Sequence, residues 1–147
     1  MQNNSGNSIE ILLVEDNPGD QRLTQEALKD GKISNNLYIV EDGEEALMFL
    51  HRTGEYAQAV KPDLILLDLN LPGMNGQEVL KIIKGDEALK RIPVVILTTS
   101  SADEDILKAY NLNANCYITK PVDFAQFIKV INMIQEFWFT IVKLPKE

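Results

Sequence analysis

Leu64-Ile65-Leu66-Leu67-Asp68 is an apolar run closed by a carboxylate, and Ile11-Leu12-Leu13-Val14-Glu15-Asp16 repeats the pattern nearer the start of the chain. Buried parallel strands are covered on both faces and read as continuous apolar runs, not as alternation. If these two lie side by side and parallel, three carboxylates meet at one edge of a sheet. Like charges held that close are unfavourable unless a cation sits among them. The two runs together predict a parallel sheet with a divalent-metal pocket at its edge.

Outward from these runs, short apolar stretches alternate with segments of helical period. The predicted strands are Ile9–Val14, Leu37–Val40, Asp63–Leu67, Pro93–Leu97 and Cys116–Thr119. The predicted helices are Gly19–Lys29, Gly43–Arg52, Gly76–Lys84, Asp103–Tyr110 and Phe124–Trp138. Asn75, Ser101 and Asp123 stand where helix N-caps belong. Repeated strand-then-helix units predict a three-layer α/β/α domain on a doubly wound, five-stranded parallel sheet. Such sheets bind ligands at the C-terminal strand ends, beside the switch point. Glu15, Asp16, Asp68, Thr98 and Lys120 all fall at or just after those ends.

Composition bounds the rest. The chain has 147 residues, the size of one domain: a polar leader over residues 1–8, a folded body over 9–139 and a tail over 140–147. Fourteen basic against 22 acidic residues give a net charge of −8, which argues against general affinity for a nucleic-acid backbone. No apolar run approaches the ~18 residues of a membrane span, and the leader lacks a secretory signal's hydrophobic region. A single cysteine, Cys116, excludes an internal disulfide framework and fits a reducing compartment, so a cytoplasmic protein is expected.

Each polar residue has a plain reading: an acid pair after a strand also suits a turn or a cap, and a lysine before proline is usually a solvated charge. Together they supply carboxylates, a hydroxyl and an ammonium, which is the set phosphoryl transfer needs. Hard divalent cations take carboxylate and carbonyl oxygens, and the cation and ammonium neutralise the phosphoryl oxygens. A carboxylate can itself be the nucleophile, and Asp68 on the central strand is the candidate. No phosphate-binding glycine loop follows the first strand, so a nucleotide is not the expected donor. The only histidine, His51, reads as a helix-surface residue. Gly73 and Gly76 serve a turn that must leave the pocket sharply; Gly76 reads equally well as a close helix-packing residue.

These stretches, ILLVEDN (11–17), DLILLDLNLPGMNG (63–76), IPVVILTTS (92–100) and CYITKP (116–121), resemble the receiver domain of two-component response regulators. Asp68 to Thr98 spans 30 positions and Thr98 to Lys120 spans 22, the order and spacing of that family. The resemblance implies a flavodoxin-like sheet of strand order 2-1-3-4-5. It implies Asp68 as phosphoacceptor from the phosphohistidine of a sensor histidine kinase, making the protein a phosphoacceptor regulator and not an enzyme. Asp16, Asp68 and the backbone carbonyl of Asn70 would hold Mg²⁺ or Mn²⁺, with Glu15 acting through a metal-bound water. Lys120 would pair with the phosphoryl oxygens and its bond to Pro121 would be cis. Thr98 and Tyr117 would form the switch, Tyr117 turning from exposed to buried.

With only a short tail after the fifth helix, no effector domain or direct DNA binding is expected. Output would pass to a downstream protein or phosphotransfer partner. Val130, Met133, Phe137 and Ile141 give the fifth helix a second apolar stripe, either covered by the tail or used for a homodimer through the fourth helix, fifth strand and fifth helix. Extra residues around Lys32–Asn36 and His51–Pro62, with HRTGEY (51–56) and NCYITK (115–120), resemble more narrowly the small regulators paired with cyanobacterial and bacterial phytochromes. A phosphatase of the haloacid dehalogenase type also forms an aspartyl phosphate, but expects its acid pair as DxD on the first strand. A pseudo-receiver would have lost the acid pair, the aspartate or the lysine, and all are present here.

Overall fold

The computed structural model describes residues 8–29, 34–98, 116–120, 122–123 and 125–129. Five strands, β1 (Ile9–Val14), β2 (Asn35–Val40), β3 (Leu64–Asp68), β4 (Val94–Thr98) and β5 (Cys116–Thr119), form one sheet of order β2-β1-β3-β4-β5. Every neighbouring pair is parallel. The expected fold class and strand order are those observed.

Side-chain alternation explains why the strand sequences are unbroken apolar runs. Leu12, Val14, Ile65, Leu67, Val94 and Ile96 point to one face, where they pack with Phe49, Val79, Leu80 and Ile83. Ile11, Leu13, Leu64, Leu66, Val95, Leu97 and Ile118 point to the other, against Ala27, Leu28 and Phe127. Both faces are covered, so neither can be polar.

Three helices occupy the described crossovers: α1 (Pro18–Lys29), α2 (Gly43–His51) and α3 (Gly76–Gly85). Asp42 caps α2 by accepting the Glu45 backbone N–H. Asn75 and Glu78 form a reciprocal capping box at the start of α3. Residues 125–129 are helical, and Asp123 accepts the Gln126 N–H at 2.8 Å, the cap expected there. The expected fourth helix and cap Ser101, the outer part of the fifth helix with its second apolar stripe, the leader 1–7 and the tail lie outside the described residues. So do Pro121 and the side chain of Cys116.

Boundaries differ from expectation in informative places. β2 begins at Asn35, two residues early, because it is an edge strand whose first positions pair with Ile9 and Glu10 and need no apolar side chains. β3 and β4 each run one residue further, through Asp68 and Thr98. The ladder pairs Asp68 with Leu97 and Thr98 with Thr119, so the polar ends are part of the sheet and not of the loops. The extra segment after α2 forms a short 3-10 turn, Gly54–Tyr56. Tyr56 stacks obliquely on Phe49, which meets Tyr38, and the Tyr56 hydroxyl donates to Glu45 Oε2.

Candidate functional site

Parallel alignment of β1 and β3 brings their ends together, since Val14 registers with Leu67. One ligand oxygen each from Glu15, Asp16 and Asp68 lies within 4.8 Å of the others. Glu15 and Asp68 are buried and Asp16 is exposed, so the trio opens to solvent on one side. Three acidic groups at that separation repel strongly, and hard oxygen donors around an open position suit a divalent cation of the Mg²⁺ or Mn²⁺ type.

Lys120 reaches the same point from β5. Its backbone N–H donates to the Thr98 carbonyl at 2.7 Å, which continues the β4–β5 ladder past the strand end. Its Nζ lies 3.1 Å from Glu15 Oε1, 3.1 Å from Asp68 Oδ2 and 3.0 Å from Asp20 Oδ2. The side chain is only 10% exposed, so these ion pairs are weakly screened. Burial pulls the ammonium's pKa down, but the hydrogen bond to Asp20 and the charges of Asp68 and Glu15 outweigh it and hold Lys120 firmly protonated. Burial, followed by the neighbouring Asp68, pushes the Glu15 carboxyl up to about 7 against the opposing pull of Lys120.

Local bonds fix each carboxylate. Asp68 Oδ1 accepts the Asn70 N–H at 3.0 Å, which turns the chain away from the strand end. Glu15 Oε2 accepts the Asn17 N–H at 3.2 Å, and the Gln21 side chain donates to the Glu15 carbonyl at 2.6 Å. Gly73 has φ +67°, the left-handed geometry its turn needs. Gly76 is not left-handed among the described glycines; of its two readings, the packing one holds, because α3 starts directly against the backbone of Asp68 and Leu69.

Thr98 is fully buried at the end of β4. Tyr117 registers with Ile96 on β5 and is 42% exposed. His51 lies exposed at the end of α2, on the helix surface as expected, and its Nε2 is 2.8 Å from Asp86 Oδ2. Asp20 is the residue that sequence reasoning missed. A carboxylate in a helix's first turn ordinarily reads as complementing the helix dipole, and its distance of 100 residues from Lys120 gave no signal.

Comparison with known proteins places this geometry. The Response regulator receiver domain profile matches residues 11–132. The chain is 49% identical to response regulator Rcp1 of Synechocystis over 135 residues, 92% of each chain. It is 33% identical to chemotaxis protein CheY-3 of Vibrio cholerae, over 88% of this chain and 93% of that one. Among solved structures, the phosphorylated cyanobacterial phytochrome response regulator RcpA superposes with TM-score 0.77 at 50% identity, covering 95% of this chain and 99% of the other. The Mn²⁺-bound form of Rcp1 gives 0.75 at 48% identity, with 94% and 99% covered. The bacteriophytochrome response regulator AtBRR gives 0.80 at 44%, with 89% and 95% covered.

Proposed function

The chain belongs to the response regulator receiver family, a phosphoacceptor family, and from that premise we propose that Asp68 takes a phosphoryl group from the phosphohistidine of a sensor kinase. The observation that carries the reading is the convergence of Glu15, Asp16, Asp68 and Lys120 at one end of the sheet. An Asp68 carboxylate oxygen attacks phosphorus in line with the leaving imidazole nitrogen. The new O–P bond forms as the P–N bond breaks, and the electron pair returns to the imidazole, leaving an acyl phosphate.

Asp16, Asp68 and the Asn70 carbonyl would hold a divalent cation, with Glu15 acting through a metal-bound water, and the cation would supply charge neutralisation for the phosphoryl oxygens. Lys120 is already at hydrogen-bond distance from Asp68, so its ammonium needs only a small shift to meet a phosphoryl oxygen. Thr98 ends the adjacent strand β4, and in this reading its hydroxyl follows that group while the exposure of Tyr117 changes with it. Such a response is a two-state element biased by a new anion.

Identity of 49–50% to Rcp1 and RcpA over nearly the whole length supports a phytochrome-type kinase as the donor. Phosphotransfer from such a kinase, compared with an unrelated histidine kinase, tests this finer assignment; equal transfer from both would sink it. The homodimer and the downstream partner rest on sequence pattern, since the fourth helix and the outer fifth helix lie outside the described residues. No helix of the described residues is long and apolar enough to cross a membrane.

The direct test is intact mass after incubation with acetyl phosphate and Mg²⁺, beside Asp68→Asn and a chelator control. One phosphoryl adduct that needs both the metal and Asp68 is the expected result. An adduct that persists in Asp68→Asn would overturn the assignment of the acceptor.

A further inference from the structure

Asp20 lies outside the carboxylate trio that can hold a cation, yet its Oδ2 makes the shortest of the three contacts to Lys120 Nζ, at 3.0 Å. An ammonium has three N–H donors. Glu15, Asp68 and Asp20 each take one, so the lysine arrives at the site with no donor to spare. The three partners are not equivalent. Glu15 is fully buried and fixed by Asn17, and Asp68 is the acceptor itself, whereas the Asp20 side chain keeps 29% of its surface in solvent.

Asp20 is held in place by the fold and not by chance of a loop. Its backbone N–H donates to Asn17 Oδ1 at 2.9 Å, and Gln21 N–H donates to the Asn17 carbonyl at 2.9 Å. Asn17 thus caps α1 and sets its first turn against the strand ends. Gln21, one residue on, is tied to the Glu15 carbonyl. The carboxylate therefore faces Lys120 from a rigid helix start.

We infer that Asp20 is a positioning residue that restrains Lys120: its carboxylate competes with the incoming phosphoryl group for the lysine ammonium and slows acceptance by Asp68. This role rests on the reading of Asp68 as phosphoacceptor. An incoming phosphoryl donor is an anion, and its oxygens must win a Lys120 N–H from one of three carboxylates. Asp20 is the partner that can be released, because water is at hand to solvate it. Its charge also stands at contact distance from the ammonium that the arriving anion must meet. Removing that charge while keeping the shape weakens the hold on one donor and lowers the repulsion together.

The test compares the rate of adduct formation from acetyl phosphate at saturating Mg²⁺ in wild type, Asp20→Asn, Asp20→Ser and Glu26→Gln. Glu26 is exposed on the same helix, so Glu26→Gln makes the same charge change away from the lysine. Asp20→Asn and Asp20→Ser are expected to accept about three- to tenfold faster, the scale of removing one partly screened charge at contact distance, with Glu26→Gln unchanged. In parallel, the ¹⁵N-bound protons of the Lys120 ammonium are expected to exchange faster with water in both Asp20 variants, a readout that a merely structural role would not move. Equal or slower acceptance in the Asp20 variants overturns the restraint, as does an equal gain in Glu26→Gln. A wild-type protein that takes up no phosphoryl group overturns the acceptor reading and this role with it. Acceptance by wild type without a change in the Asp20 variants overturns this role alone.

Discussion

Gly76 lies so close to Asp68 that a Cβ at this position would stand 2.4 Å from the Asp68 carbonyl oxygen and 2.6 Å from the Leu69 Cα. The obstacle is backbone on a central strand, which cannot turn aside as a side chain would. Helix α3 is therefore docked on the very peptide that carries the proposed acceptor, and the Gly76 N–H donates to the Leu69 carbonyl at 3.1 Å.

Gly76→Ala should cost about 1–3 kcal/mol, the range for forced overpacking, and should also slow phosphoryl acceptance by moving Asp68. Gly85→Ala is the internal contrast. A Cβ at Gly85 meets nothing within 4 Å, so about 0.4–1 kcal/mol of stability is expected from the restricted unfolded chain. Urea unfolding of both variants checks the pair, and destabilisation of similar size in each would refute the packing account.

Lys120→Ala leaves Glu15 and Asp68 buried without their cation, and a loss of about 3 kcal/mol is expected, as when one partner of a buried pair is removed. A divalent cation should compensate. Mg²⁺ is expected to raise the melting temperature of Lys120→Ala more than that of wild type. Scanning calorimetry with and without Mg²⁺ measures the difference, and identical shifts would show that lysine and metal do not share one field.

Asn75→Ala removes one half of the α3 capping box, the Glu78 N–H bond to Asn75 Oδ1 at 2.9 Å, and leaves the Asn75 backbone N–H donating to Glu78 Oε1. About 1 kcal/mol should be lost. Thermal melts at one pH suffice, and a change below a few tenths would mean that water replaces the cap at no cost.

Lys84 gives a pH dependence remote from the site. Burial pushes its ammonium down to about 8, although its Nζ also donates to the carbonyls of Lys90 and Ile92 at 3.0 and 2.9 Å. Between about 8 and the ordinary lysine range the unfolded chain binds more protons than the folded one, so stability rises with pH across that window. The opposing cost is fully present below pH 8. Urea midpoints measured from pH 7.5 to 10.5 should climb in wild type and climb less in Lys84→Met, whose baseline is lower because two carbonyls lose their donor. Parallel profiles would place the titration elsewhere.

The strands were legible because both sheet faces are covered. Leu64 to Leu67 have no solvent side, so every position is apolar and the run stands out. The acid pair, Asp68, Thr98 and Lys120 were legible for a related reason: in a parallel sheet all strand ends of one kind share an edge. What escaped was set by contacts with no sequence period. Asn35 and Asn36 extend β2 through backbone pairing alone. Asp20 depends on how α1 starts, and that depends on Asn17 turning back to cap it. Between its two readings, Gly76 was decided by how close α3 comes to β3, a distance that composition does not encode.

The lysine that completes the site lies 52 residues after Asp68 and 105 after Glu15. It is carried there by β5, an edge strand held to the sheet on one side, through its pairing with β4. During synthesis the carboxylates emerge first and stay without this ammonium until β5 has left the ribosome and docked. A nascent chain would therefore present an incomplete acceptor, and readiness to take up a signal would itself report that the sheet is finished.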